Sequence, residues 1–101
     1  MPKVLGSLPK EVVRRIVRAH INEIRRCYVG SLATRPRLTG RLEVQFAVNA
    51  VGKVSGSRIA SSTLRDPAVE DCVAQAVRRW PFPKPTGSVD IIHQIFVLRP
   101  E

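Results

Sequence analysis

Two histidines, two cysteines and one short run of hydroxyl side chains are the residues of this 101-residue chain best suited to catalysis or metal binding. His20 and His93 fall in no spacing that makes a metal site or supplies a general base. Ser61, Ser62 and Thr63 precede a helix-like segment, where hydroxyl side chains ordinarily form caps and turns. No glycine-rich loop suited to a phosphate is present. The sequence therefore predicts a protein that is not an enzyme and that has no metal site and no cofactor.

The two cysteines allow two interpretations. Cys27 and Cys72 fall on the predicted inward faces of two different helices. Each could be a small core residue, the usual state of a buried cysteine in a reducing compartment. A disulfide between the two helices is the alternative, and the compartment decides between them. The residues alone leave both open.

Charge is the strongest compositional signal. The chain has 17 Lys and Arg against 8 Asp and Glu, a net charge of +9. Such a field attracts acidic proteins, polyanions and anionic membrane surfaces alike. A solvated helix face is the interpretation favoured for the basic residues of the first helix. They are Lys10, Arg14, Arg15, Arg18, Arg25 and Arg26.

Nucleic-acid binding requires specific features beyond charge. The chain has few aromatic residues on which bases could stack, and it shows neither a zinc-finger spacing nor an RNP-like run. No nucleic-acid partner is therefore expected. A cytoplasmic basic α+β domain that binds nucleic acid is retained as the alternative function, and the salt dependence of binding to generic DNA or RNA would test it.

Alternating polarity predicts the first strand, from Gly40 to Asn49, with one face half-buried. Gly52 follows as the turn residue at positive φ, and Val54 to Ser61 returns as the hairpin partner. Val54 and Ile59 of this second strand are an odd number of positions apart, which would put them on opposite faces of a regular strand. We therefore expect a bulge at Gly56 that brings both to the same face.

Two helices are predicted from apolar residues at helical spacing. The first runs from Pro9 to Val29. The second has Asp66 as its N-cap and Pro67 as its first residue, and its apolar stripe runs from Val69 to Trp80, where the helix ends. Three prolines then follow and force the chain out of the helix.

The last strand is predicted from Val89 to Leu98, and it is apolar at nearly every position. Such runs usually have both faces covered. The resulting fold class is α+β, in the order α-β-β-α-β. Two helices pack on one face of a three-stranded antiparallel or mixed sheet of strand order 2-1-3. In that order the last strand lies at a sheet edge.

Composition limits the chain to one domain, residues 1–101. No apolar run reaches the roughly 20 residues of a membrane span, and the N-terminus lacks the pattern of a secretory signal. The chain is expected either to be cytoplasmic or to be part of a longer protein.

Four sequence motifs resemble the C-terminal domain of TonB, the periplasmic energy transducer. They are Gly40-x-Leu-x-Val-x-Phe-x-Val48, Gly52-x-Val54, Ser61-Ser62 and Val73-x-x-Ala76-Val-Arg-Arg-Trp80-Pro-Phe-Pro83. Three further pairs are similar to myxobacterial relatives of the AgmX/PglI type, which are associated with gliding motility. These pairs are Cys27-Tyr28, Cys72-Val73 and Arg99-Pro100.

This resemblance implies a periplasmic protein-interaction module, for energy transduction or gliding motility. It would end a longer protein that is tethered to the inner membrane by an N-terminal anchor outside this chain. Domains of this family accept an extended peptide beside their last strand, which agrees with the edge position inferred above. Sheet-edge addition takes its affinity from backbone hydrogen bonds. The expected partner is an outer-membrane or periplasmic protein.

A periplasmic location also favours the disulfide between Cys27 and Cys72. Trp80 and Phe82, from the last of the four motifs, and Phe46, from the first strand, are expected to be structural. The Trp80 ring should cover the junction between the second helix and the sheet.

Partner-binding residues are predicted on the last strand and the first helix. The family pattern directs Ile92, Phe96 and Leu98 of the last strand into the core. The opposite face is too apolar to be left in water, so a partner strand or a second copy of the chain is expected to cover it. Arginines of the first helix would steer an acidic partner toward it. The predicted binding residues are Val89, Ile91, His93, Ile95, Val97, Arg14, Arg15 and Arg18.

Overall fold

A computed structural model describes residues 3–5, 8–87 and 89–100, and of residues 3–5 only the backbone. The helices are α1 (Lys10–Ala19), α2 (Ile21–Leu32) and α3 (Pro67–Val77). The strands are β1 (Lys3–Leu5), β2 (Gly40–Asn49), β3 (Val54–Ser62) and β4 (Val89–Leu98).

One sheet joins the strands in the order β1-β4-β2-β3, with every neighbouring pair antiparallel. β3 and β4 consequently run parallel to each other on either side of β2, as expected for strands joined through a helix. The predicted order of the three long strands is confirmed. The prediction that the last strand lies at an edge is wrong over Ile91–His93, because β1 pairs there. A segment of three residues is too short to show a sequence period.

All three helices cover the same face of the sheet. Even-numbered residues of β2 and β4 point beneath them, and the alternation predicted for β2 is confirmed. The largest side chains of this core lie between the sheet and the helices. They include Phe46, Leu42, Ile92, Val13, Ile24, Val69 and Val73.

The predicted first helix is two helices, with a break at His20. His20 has φ −113° and ψ 10°, outside the helical region. It is both the C-cap of α1 and the N-cap of α2. Its Nδ1 is 2.8 Å from the Ile16 carbonyl, and its ring stacks on Trp80 at a centroid distance of 5.2 Å. The apolar stripe does not reveal the break, because it continues in phase across it.

Trp80 lies where α1, α2 and the sheet meet. Its side chain is buried, its ring meets Phe96 edge-on at 6.4 Å, and its Nε1–H donates to Glu23 Oε1 at 3.2 Å. α3 ends at Val77, earlier than the predicted Trp80. The peptide N–H groups of Arg79 and Trp80 then donate to the carbonyls of Ala76 and Val77, respectively, each three residues earlier.

Phe82 anchors the proline-rich segment that follows. Its ring packs against Phe46 at 5.5 Å, and its N–H donates to the Gly52 carbonyl at 3.1 Å. Gly52 has φ 87°, as predicted, and a Cβ at this position would collide with the Phe82 carbonyl oxygen. The hairpin turn and the chain after α3 are thus fitted to each other.

Asp66 caps α3, as predicted. Its carboxylate accepts from the Val69 N–H at 3.1 Å and pairs with Arg35 at 3.1 Å. Pro67 is the first helical residue. The hydrogen bond from Val69, followed by the interactions with Arg35, lowers the pKa of Asp66 below its usual range, although burial opposes this shift.

A second polar contact closes the end of α2. The Tyr28 hydroxyl donates to the Leu38 carbonyl, and burial raises the pKa of Tyr28. The chain between α2 and β2 is thereby held against the core at both Tyr28 and Arg35.

β3 contains two register shifts rather than one. Opposite β2, the unpaired residues are Ser55, next to the predicted bulge at Gly56, and Ala60. The shift at Ser55, which lies between Val54 and Ile59, brings both of these residues to the core side, as the bulge was expected to do.

The predicted disulfide between Cys27 and Cys72 is present and joins α2 to α3, with a Cα–Cα distance of 5.6 Å. Cys27 is partly buried against the core, but Cys72 is exposed, so its predicted inward position is wrong. The bridge lies at the solvent side of the helix pair, because Val69, Val73 and Val77 take the buried positions of α3.

Truncation of Trp80 tests its place in the core. Trp80→Ala removes a buried ring and three ring or hydrogen-bond contacts, so the free energy of unfolding should fall by about 3–5 kcal/mol. Urea denaturation measures this change. Arg79→Ala is the control: its guanidinium is exposed and lies 3.9 Å from Glu23, and its loss should change stability by less than about 1 kcal/mol. Equal effects of the two substitutions would contradict a buried role for Trp80.

Acid should weaken the cap of α3. Because the folded-state pKa of Asp66 lies below the unfolded value of about 3.9, its contribution is complete above that value and is lost as pH falls through the folded-state pKa. The melting temperatures of the protein and of Asp66→Asn should therefore differ at neutral pH and converge in acid. A difference that does not change with pH would show that ionisation of Asp66 is not involved.

Reduction of the disulfide should destabilise the fold. The bridge spans 45 positions, for which the chain-entropy account gives about 4 kcal/mol. Urea denaturation of the double variant Cys27→Ala, Cys72→Ala should reproduce the effect of a reductant on the unsubstituted protein. Two free thiols in protein isolated from an oxidising compartment would contradict the bridge.

Candidate functional site

The two edges of the sheet differ in how well they could pair with an added strand. β3 forms one side, and its two register shifts interrupt the regular row of backbone groups that an added strand needs. Arg78 closes it further, because its Nη2 donates to the Ser57 carbonyl at 3.3 Å and its Nε to the Ser57 hydroxyl at 3.0 Å. The β3 side is therefore poorly suited to accept a strand.

Successive residues of β4 direct their backbone N–H and C=O groups alternately toward β2 and away from it. The hydrogen bonds of β2 show which residues of β4 point away. The Asn49 N–H donates to the Lys53 carbonyl at 2.8 Å, so odd-numbered residues of β2 face β3. Even-numbered residues consequently face β4, where their partners are also even-numbered, as with Gly40 and Leu98. Odd-numbered residues of β4 therefore direct their N–H and C=O groups away from β2.

We call the outward-directed backbone of Ile91, His93, Ile95 and Val97 the β4 edge. Ile91 and His93 pair with β1. In the part of the chain that the structure describes, Ile95 and Val97 have no strand partner on this side. β1 thus pairs with half of the β4 edge, and the other half, which we call open, has no strand partner among the described residues.

The odd-numbered side chains of β4 form what we call the outer face, on the side of the sheet away from the helices. Val89, Ile95 and Val97 are 47%, 37% and 67% exposed, and Ile91 and His93 are partly exposed. Among the described residues, the chain itself covers only the inward face of this strand, and the predicted cover of the outer face by a partner strand or a second copy stays a prediction. No helix or strand among the described residues covers the outer face, because all three helices lie on the other side.

Polar side chains of β2 border this apolar row. Each outer-face residue of β4 lies opposite an odd-numbered residue of β2. His93 Nδ1 is 3.2 Å from Glu43 Oε2, which forms an ion pair when the imidazole is protonated. Gln45 Oε1 in turn accepts from Arg58 of β3. The outer face, which is mostly apolar, therefore lies beside a row of β2 side chains that make hydrogen bonds to β4 and β3.

A groove of about 710 Å³ lies between the last turns of α2 and the end of β4. Val29 of α2 is exposed there by 59%, unlike the other large apolar residues of the helices. Two arginines also line the groove. The lining residues include Arg25, Tyr28, Val29, Leu32, Val97 and Arg99. The open half of the β4 edge thus adjoins a concave surface that is lined by both apolar side chains and arginines.

The predicted steering arginines lie on α1, away from the β4 edge in sequence. Arg15 and Arg18 are exposed and Arg14 is partly buried. Arg25 and Arg26 of α2 are exposed as well and extend the positive surface toward the groove. Both helices therefore present cations to solvent, and both lie on the face of the sheet opposite the outer face.

Among the described residues, no group of three or more His, Cys, Asp or Glu side chains could hold a metal ion. Within the same part of the chain, no helix is both long and apolar enough to cross a membrane.

Comparison with known proteins yields one relevant similarity. No family model matches the chain, and no curated protein does. The solution NMR structure of the Pseudomonas aeruginosa TonB C-terminal domain is similar to it over 99% of this chain and 87% of that one, with a TM-score of 0.53 and 17% sequence identity. The chain therefore has the fold of a TonB C-terminal domain.

Sequence reasoning missed two features of this site. One is β1, whose three residues carry no period. The other is Gln94, a polar residue at an inward position of β4, whose amide Nε2 donates to the Ile95 carbonyl at 3.0 Å. Its position in the alternation marked it as a core residue, which was the available signal.

Amide exchange tests the assignment of the open edge. The N–H groups of Ile95 and Val97 point away from β2 and should exchange at least about tenfold faster than those of Gln94 and Phe96, which pair with β2. Hydrogen–deuterium exchange followed by NMR measures all four amides in one sample. Equal protection of the four would contradict an open edge.

Proposed function

We propose that this chain is the protein-interaction module of a TonB-like complex of the cell envelope, and that it binds an outer-membrane or periplasmic partner by strand addition at the β4 edge. The observation that carries the proposal is the difference between the two sides of the sheet. β3 is interrupted and capped by Arg78, whereas Ile95 and Val97 of the β4 edge have no strand partner among the described residues on the side away from β2.

The fold supports this assignment, because a TonB C-terminal domain has the same architecture. The disulfide supports an extracytoplasmic location, where such bridges persist. We further propose that the chain belongs to a longer protein anchored in the inner membrane, and that its subtype is that of the myxobacterial gliding-motility relatives.

The outer face and the basic helices would assist binding. A strand beside Ile95 and Val97 would bring its own side chains next to the apolar row, which buries surface that is otherwise in water. Arg14, Arg15 and Arg18 would raise the association rate of an acidic partner more than its final affinity. A second copy of the chain is the other occupant that the edge could accept.

Substitutions on β4 test the proposed surface in the full-length protein within its own cells. Ile95→Lys places a charge on the outer face, and Val97→Pro removes an outward N–H while leaving the ladder with β2 intact. Each should reduce the co-purification of the envelope partner by about tenfold or more. Quantitative mass spectrometry of the tagged protein measures this loss.

The matched control is Ser55→Lys, at an exposed position on the opposite side of the sheet. All variants should retain cooperative melting. If partner capture and self-association survive both β4 substitutions, the binding surface lies elsewhere. Tight binding to generic DNA with a steep salt dependence would instead support the nucleic-acid alternative.

A further inference from the structure

The chain satisfies most of the β4 edge with its own groups. β1 pairs with Ile91 and His93 in an antiparallel register. At the next outward residue, the Ile95 carbonyl accepts from the side-chain amide of Gln94 at 3.0 Å. Three successive outward positions of β4 are therefore engaged from within the same chain.

Gln94 is an uncommon residue for its place. It lies on the core side of β4, directly opposite Val44 of β2, and is 7% exposed. Its Oε1 is fully buried and has no hydrogen-bond partner among the described residues. Leaving a buried acceptor unsatisfied is unfavourable, and an apolar side chain of similar size would avoid it. The contact that the amide does make is the one to the Ile95 carbonyl.

We propose that β1 and Gln94 together substitute for a partner strand in the free protein, and that a partner takes the place of both. This inference rests on the proposed function and adds the kind of partner that the edge accepts. β1 supplies the register: the incoming segment runs antiparallel to β4 and pairs its backbone with Ile91, His93, Ile95 and Val97.

The exchange at Ile95 sets a requirement on the partner. Its backbone N–H must replace the Gln94 amide at the Ile95 carbonyl, so the partner residue opposite Ile95 cannot be proline. The displaced amide is then free to turn, and its buried Oε1 can gain a donor. At the next partner residue the N–H points away from β4, and proline there should be tolerated better.

Self-occupation lowers the apparent affinity for a partner, because only the fraction of molecules with an open edge can bind. Loss of the Gln94 donor should therefore strengthen binding. One hydrogen bond exchanged for another in this way changes affinity by about threefold to tenfold.

The experiment uses a soluble peptide of sequence Thr-Val-Thr-Val-Lys-Val-Leu, titrated into the folded protein and followed by NMR. Its last three residues copy β1, and the preceding four reach Val97 in the register of β1. Gln94→Met should bind this peptide about threefold to tenfold more tightly than the unsubstituted protein. Gln94→Leu serves the same purpose if the Met variant does not fold.

Proline scanning of the peptide provides a second readout that needs no protein variant. Proline at the third residue, opposite Ile95, should abolish binding, whereas proline at the second residue should weaken it far less. Leu5→Pro, which removes a β1 N–H directed at β4, should also strengthen peptide binding. Val4→Pro, whose N–H points away from β4, is its matched control.

Equal affinity of the unsubstituted protein and the Gln94 variants, or equal effects of proline at the two peptide positions, would overturn the inference. So would failure of the Leu5→Pro protein to bind the peptide. These outcomes are distinguishable from failure of the proposed function, which is decided by partner capture with the Ile95→Lys and Val97→Pro variants.

Discussion

The register between β2 and β4 is the constraint on which the core, the outer face and the β4 edge all depend. The ten residues of β2 pair with β4 without a shift. Because side chains alternate along a strand, a slip of one residue would move Ile92 and Phe96 out of the core and place Ile91 and Ile95 within it. The same slip would turn the backbone groups of Ile95 and Val97 toward β2. A single pairing thus decides which residues are buried and which are available to a partner.

The three helices cover one face of this sheet, and contacts among them hold them in place. Trp80 joins His20, Glu23 and Phe96 at one end of the core. The disulfide joins α2 to α3 on their solvent side. Because all three helices of the described part of the chain lie on one face of the sheet, Val89, Ile95 and Val97 of β4 are exposed on the other face. An apolar row of this kind is usual at interaction surfaces and is a hazard when nothing covers it.

Local features of the fold could be predicted from the sequence, because each follows from neighbouring residues. The alternation of β2, the positive φ of Gly52 and the cap at Asp66 are of this kind. The break at His20 could not be predicted, since its ring packs on Trp80, a residue distant in sequence.

The candidate site was only partly predictable. The division of β4 into an inward and an outward face follows from the period of two, and it holds for every position from Val89 to Leu98. Whether the β4 edge is paired depends on β1, a strand that is distant from β4 in sequence. The exposure of Cys72 likewise depends on how α2 and α3 face each other, and a helical stripe does not specify that angle.

Site-specific photo-cross-linking in living cells tests the central claim most directly. A photoreactive residue at Val97, which is 67% exposed, would report what lies beside the open half of the β4 edge, and one at Ser55 would report the opposite side of the sheet. We expect Val97 to cross-link to an outer-membrane or periplasmic protein, or to a second copy of the chain, and Ser55 to give no such product. Cross-links from Ser55 with none from Val97 would contradict the assignment of β4 as the strand that binds the partner.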